Sequence, residues 1–148
     1  MTQPSDPHDL RRFVSAQVGS YEIALTELRQ GRKQSHWMWY IFPQYAGLGT
    51  SPTSQRYAIK SAAEAEAYLE HPLLGQRLTE CAEAVLLIDG RSAHQIFGSP
   101  DDIKLKSSAT LFAHVSPAGS VFERVLDQYF DGARDTTTLR LLHVPPYT

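Results

Sequence analysis

One cysteine, Cys81, is all the chain contains. A disulfide needs two, so no intramolecular bridge staples the fold, and the usage reads as a reducing compartment or indifference to redox. Long apolar runs are missing as well. None approaches the roughly 20 residues that span a bilayer, and the opening MTQPSDPHDLRRF has no apolar signal core. The expectation is a cytoplasmic protein with no membrane partner. An excess of one charge sign is also absent: 14 Lys and Arg stand against 16 Asp and Glu, a formal net charge of −2. No global footprint for nucleic acid exists, and none is expected as a partner. His8, His36, His71, His94, His114 and His143 are scattered, without a His-x-x-x-His or Cys-x-x-Cys pair. Neither metal nor cofactor is therefore expected. There is no Gly-x-Ser-x-Gly elbow and no phosphate loop, Gly47-Leu-Gly49 being too short. Nothing here dictates a reaction, and whether the chain is an enzyme stays open.

What is present is a block of aromatics. GRKQSHWMWYIFPQ, from Gly31 to Gln44, holds Trp37, Trp39, Tyr40 and Phe42, with Arg32, Lys33 and His36 in front. Burying one large aromatic contributes roughly 1.5–3 kcal/mol, so the segment anchors a fold and sets polar groups at its rim. The 148 residues, 42% hydrophobic and 20% charged, suit one domain with a proper core. The expected layout is a flexible tail over 1–8, a single helical domain over 9–143 and a second tail over 144–148.

Helical spacing runs through that domain. Asp9 is placed to cap a first helix with Leu10, Phe13, Val14 and Val18 on one face, broken at Gly19. A second run from Ser20 stops at Gly31. Ser51-Pro52 opens a short helix through Arg56 or Ile59, and Ser61 with Glu64 reads as a capping box. Pro72 starts the longest helix, striped by Leu74, Leu78, Cys81, Val85 and Ile88. Ser92 caps a turn that Gly98 closes. Ser99-Pro100-Asp101-Asp102 starts a helix to His114 or Val115, with its acids on the positive end of the dipole. A helix over about 118–130 and a last one capped by Asp135 follow. Trp37, Trp39 and Ile41 alternate as a strand would, but no partner strand is in sight, and one turn of helix from Ser35 fits as well. No hairpin and no repeat appears. The fold class is all-α, a single compact multi-helix domain with an irregular aromatic-rich segment around 31–57.

HWMWYIFPQ, RYAI, EAEAYLEHPLLGQRL and IFGSPDDIKLKSSATLF, in that order, resemble the bacterial domain-of-unknown-function family numbered 1810, sometimes labelled calpastatin, from about Asp6 to Leu142. The resemblance implies a mainly helical domain of about this length and no particular activity. A calpain inhibitor of extended type would be disordered and poor in aromatics, which this chain is not. A looser likeness is to small helical N-glycosidases that process ADP-ribose, whose motif carries a glutamate that SQRYAIK lacks.

Two constellations are candidates for binding. In the first, Arg32, Lys33, His36, Trp37 and Trp39 would stack a base or sugar and meet phosphate or carboxylate. Otherwise the indoles are core and the cations flank a helix end. In the second, Asp102, Lys104, Lys106 and Ser108 lie on a helix that is polar on most sides. It receives an anion in a buried pocket, or else shows only a surface Asp102–Lys106 pair. With Gln44, Arg56 and Tyr57, these residues outline a pocket for a small anionic or nucleotide-like ligand. The alternative is a non-catalytic protein-interaction module. Cys81 reads as an inert buried thiol, and Glu64, Glu66, Glu80 and Glu83 as solvated. Oligomeric state is not set by the sequence.

Overall fold

The computed structural model describes residues 6–143, so most of both expected tails lies outside the described residues. Among these residues the regular structure is all helix: α1 (Arg11–Gln17), α2 (Ser20–Arg29), α3 (Met38–Ile41), α4 (Pro52–Arg56), α5 (Ala62–Glu70), α6 (Leu74–Leu87), α7 (Ala93–Phe97), α8 (Asp101–His114), α9 (Val121–Phe130) and α10 (Thr136–Leu141). No strand occurs among them. A lone parallel bridge joins Tyr45 to Ile59 and returns the irregular segment to the start of α5. None of these helices is long and apolar enough to cross a membrane.

Local chemistry explains most of the starts. Ser51, Ser61, Ser92, Ser120 and Asp135 each accept a hydrogen bond from the third amide of the helix they precede. At α7 the Gln95 side chain reciprocates, completing a capping box. Three starts depart from expectation. Asp6, not Asp9, meets the first amides of α1, accepting from Leu10 and Arg11 at 2.8 and 3.0 Å. Ser99 does not cap α8; the Gly98 and Pro100 carbonyls take its first amides. The Glu64 carboxylate does not close a box with Ser61 but is turned inward to Arg12.

That pair is the main polar feature of the interior. Arg12 meets Glu64 at 2.6 Å with both side chains almost fully enclosed. Its remaining donors reach the carbonyls of His8, Asp9, Arg56 and Ala58 at 2.7–2.9 Å. One guanidinium thus ties the chain before α1 to the end of α4 and to α5. Glu64 is therefore not solvated as expected. Its charge is kept in the core by a partner with every donor satisfied.

The apolar core runs through an aromatic series from Phe13 to Tyr68 (5.0 Å between centroids), Phe112 (5.4 Å) and Phe122 (5.6 Å). Helix α8 is central, packed against α5, α7, α9 and α10. That position explains its mixed polarity. Ser107, Ser108, Ala109 and Thr110 are all buried, and such short side chains let neighbouring helices approach. Ser107 and Thr110 satisfy themselves on the carbonyls four residues back, and Thr110 also accepts from the Asp135 amide. A similar close approach occurs at Gly75 in α6, where a Cβ would lie 2.0 Å from the Leu69 carbonyl oxygen. Cys81 is buried on the α6 stripe, and burial pushes its thiol up to about 12.

Candidate functional site

At the aromatic block, Trp37 is core. It is 1% exposed, and its indole nitrogen donates to Glu27 Oε1 at 2.9 Å. The same Glu27 carboxylate accepts from the amides of Gln34 and Ser35 at 2.7 and 2.9 Å and from the Ser35 hydroxyl. Burial alone would raise this carboxyl. The four donors outweigh it and hold the group down to about 2. Glu27 on α2 is thus a clamp for the turn into the block, and the indole cannot serve as an open stacking face.

Lys33 is equally committed. Its ammonium lies 2.8 Å from Asp101 Oδ2, donates to the Ser35 carbonyl at 2.6 Å and sits 5.0 Å from the Trp37 ring centroid. Lys104 shares Asp101 at 3.8 Å and lies 5.4 Å from the ring of the half-buried Trp39. Asp102 faces His94 at 3.4 Å rather than Lys106, which lies 5.9 Å from the Phe130 ring. Lys33, Trp39, Asp102 and Lys104 are therefore brought to one seam, where the turn after α2 meets the start of α8, and their charges already have partners there. Trp39, Gln44 and Tyr57 do line a common space, but it measures only about 10 Å³, room for at most one water. Arg32 and His36 are exposed, and Arg56 is exposed with its guanidinium 5.6 Å from the Tyr57 ring. Ser108 is buried and its hydroxyl has no hydrogen-bond partner among the described residues.

The large concave surface is elsewhere, and it begins at the front edge of the block. A groove of about 470 Å³ is lined by Arg29, Gly31, Glu83, Leu87, Asp89 and Arg91. Toward α9 it shares Leu87 and Asp89 with a second hollow of about 510 Å³ that reaches Gln128 and Tyr129. On the other side Gln30 joins it to a third, of about 340 Å³, along Glu22, Ile23 and Thr26. The three adjoin in a row across neighbouring helices α2, α6 and α9. Leu87 stands at the divide, 85% exposed, and Ile23 is 50% exposed. Among the described residues Arg29, Glu83, Asp89 and Arg91 make no ion pair.

The frame under this groove is braced by side chains. The Tyr129 hydroxyl donates to the Val85 carbonyl, and Gln128 Nε2 donates to the Leu86 carbonyl at 3.1 Å, so α9 holds the end of α6. The Tyr21 hydroxyl donates to Glu80, and the Arg77 guanidinium lies 4.7 Å from the Tyr21 ring, which locks α2 to α6. Burial first, and then the bond to Glu80, raise the Tyr21 phenol above its ordinary range. Glu80 is therefore not the freely solvated carboxylate expected of it, whereas Glu83 is exposed. Sequence reasoning passed over this region, although Leu87 gave a signal: it is apolar, lies off the α6 stripe and so has no place in the core.

The family profile described as protein of unknown function (DUF1810) matches residues 7–142. A crystal structure of the conserved hypothetical protein Rv1873 from Mycobacterium tuberculosis is similar over 95% of this chain and 100% of that one, with 52% identity and a TM-score of 0.92. No curated protein matches the chain.

Proposed function

Because the chain belongs to the DUF1810 family, whose description names no activity, we propose a function from its own geometry: it is a non-catalytic interaction module that holds a polypeptide segment in the groove over α2, α6 and α9. The observation that carries this is Leu87. A leucine with most of its surface in water, set between adjoining hollows on a braced frame, is what a docking surface needs and a core does not. Open shape and unpaired charges of both signs around an apolar centre favour an extended partner over a small enclosed ligand.

The competing reading is a small anionic or nucleotide-like ligand beside the aromatic block. Lys104 over Trp39 favours it; Asp101, which pairs with both lysines, and the lack of space beside Trp39 weigh against it. One pair of measurements separates the two. A displayed random-peptide library should yield a consensus that the wild-type chain retains and Leu87→Asp loses. A panel of NAD, ADP-ribose and mononucleotides should leave the melting temperature unchanged. A ligand at 100 times its Kd would add roughly 2.7 kcal/mol, so a rise with any nucleotide, together with no peptide enrichment, overturns the module reading.

A further inference from the structure

The groove carries charges of both signs with the negative in excess. Leaving aside Glu27, whose carboxylate is bound inside, Glu22, Glu80, Glu83 and Asp89 line it against Arg29 and Arg91. The balance is two negative charges, as large as the formal net charge of −2 for the whole chain. Glu22, Glu83 and Asp89 are exposed and make no ion pair among the described residues.

Backbone adds to the side chains. Helices α2, α6 and α9 all present their C-terminal turns to the groove, at Arg29, Leu87 and Tyr129. A free helix end acts as roughly half a negative charge, and here the effect is reduced because Tyr129 and Gln128 already donate to the Val85 and Leu86 carbonyls of α6. Arg29 and Arg91 are the cations that line the groove beside these ends. Arg91 also packs its stem across Gly31, where a Cβ would lie 3.6 Å from its Cδ. They do not cancel the field, since three carboxylates remain in solvent beside them.

Resting on the interaction-module reading, we infer that the segment held in this groove is basic and extended, with Lys or Arg set among apolar side chains. Its cations meet Glu22, Glu83 and Asp89, and its apolar residues cover Leu87 and Ile23. Neighbouring helices lie about 8–10 Å apart, so a path from α2 to α9 takes roughly six residues of extended chain. The same field repels phosphate, which sets nucleic acid and free nucleotides against this face.

The probe is a labelled eight-residue peptide of alternating Lys and Leu, compared by fluorescence anisotropy with the same peptide carrying Glu for Lys. The Lys peptide should bind about tenfold or more tightly than the Glu peptide, and its affinity should fall as salt rises. Glu83→Lys combined with Asp89→Lys should weaken it about tenfold, and Leu87→Ser should weaken it as well. Both sites are exposed, and unchanged melting curves will confirm that the variants fold. Equal affinity of the charge-reversed variant overturns the inference, because the peptide then binds elsewhere. A Glu peptide that binds as tightly, and depends on Leu87, overturns the basic preference and leaves the module reading standing. A dimer in sedimentation that Leu87→Ser dissociates overturns it too, the occupant then being a second copy. If neither peptide binds, the basic-segment inference falls, and the library experiment alone decides the module.

Discussion

Glu27 and Glu83 sit on adjacent helices and meet opposite fates. Glu27 faces the turn into the aromatic block, where two amides, a hydroxyl and an indole converge on it. Glu83, on α6, faces the groove and has no ion-pair partner among the described residues. The contrast extends to their surroundings. At the block, Lys33, Asp101 and Lys104 are matched to one another, and Arg12 with Glu64 does the same beneath it. In the groove, charges of both signs and a bare leucine are left over. At the block Glu27, Lys33 and Asp101 are consumed in closing the fold, whereas Arg29, Glu83, Asp89 and Arg91 in the groove make no ion pair among the described residues. Aromatic density marked the first region as the place to look. The second is where capacity remains.

Substitutions at the enclosed charges should cost folding. The largest effect belongs to Arg12→Met, which strips five hydrogen bonds and leaves the Glu64 carboxylate buried alone. A loss of about 3–5 kcal/mol is expected in urea denaturation. Adding Glu64→Gln should return part of it, and a double variant no better than the single would show that the pair is not the reason. Glu27 is tested by pH. Its carboxyl is held at about 2 against an ordinary 4.5. A depressed carboxyl contributes stability that is complete above the higher value and lost as pH falls through the lower one. Between pH 4.5 and 2, then, roughly 3 kcal/mol should disappear, and Glu27→Gln should flatten that slope. Smaller again is Lys33→Met, which keeps the stem but removes the charge from Asp101 and from the Trp37 face. Because Lys104 still reaches Asp101 at 3.8 Å, about 1–2 kcal/mol is expected by thermal melting. A neutral result would move this seam out of the enclosed class.

Much of this architecture was legible in the sequence because its signals are local. Ser51-Pro52, Ser92 with Gln95, and Asp135 act within four residues of themselves, and the α6 stripe repeats at the helical period. What stayed hidden depends on residues far apart in the chain. Arg12 and Glu64 look like ordinary helix-surface charges until packing brings them within 2.6 Å. Glu27 has nothing in its neighbourhood to announce four donors. The role of Trp37 was hidden for a related reason. Trp37 was open to a core or a pocket role, and the choice is made by Glu27 and by Lys33 with Asp101, none of which a linear pattern connects. In the groove the informative residue was Leu87, an apolar position that the α6 stripe does not need.

Leu87 gives the smallest effect on stability and the sharpest test of the comparison. At 85% exposure it has little buried area to lose, so Leu87→Ser should shift the unfolding free energy by no more than about 0.5 kcal/mol. The same substitution should weaken peptide binding, because there the side chain gains its burial only from the partner. Folding and binding then separate at one residue, which the enclosed charges do not allow. A loss above about 1 kcal/mol in the isolated chain would mean that Leu87 is packed by the chain's own residues. The groove would then belong with the aromatic block as part of the fold, and the distinction between spent and surplus groups would fail at the position that defines it.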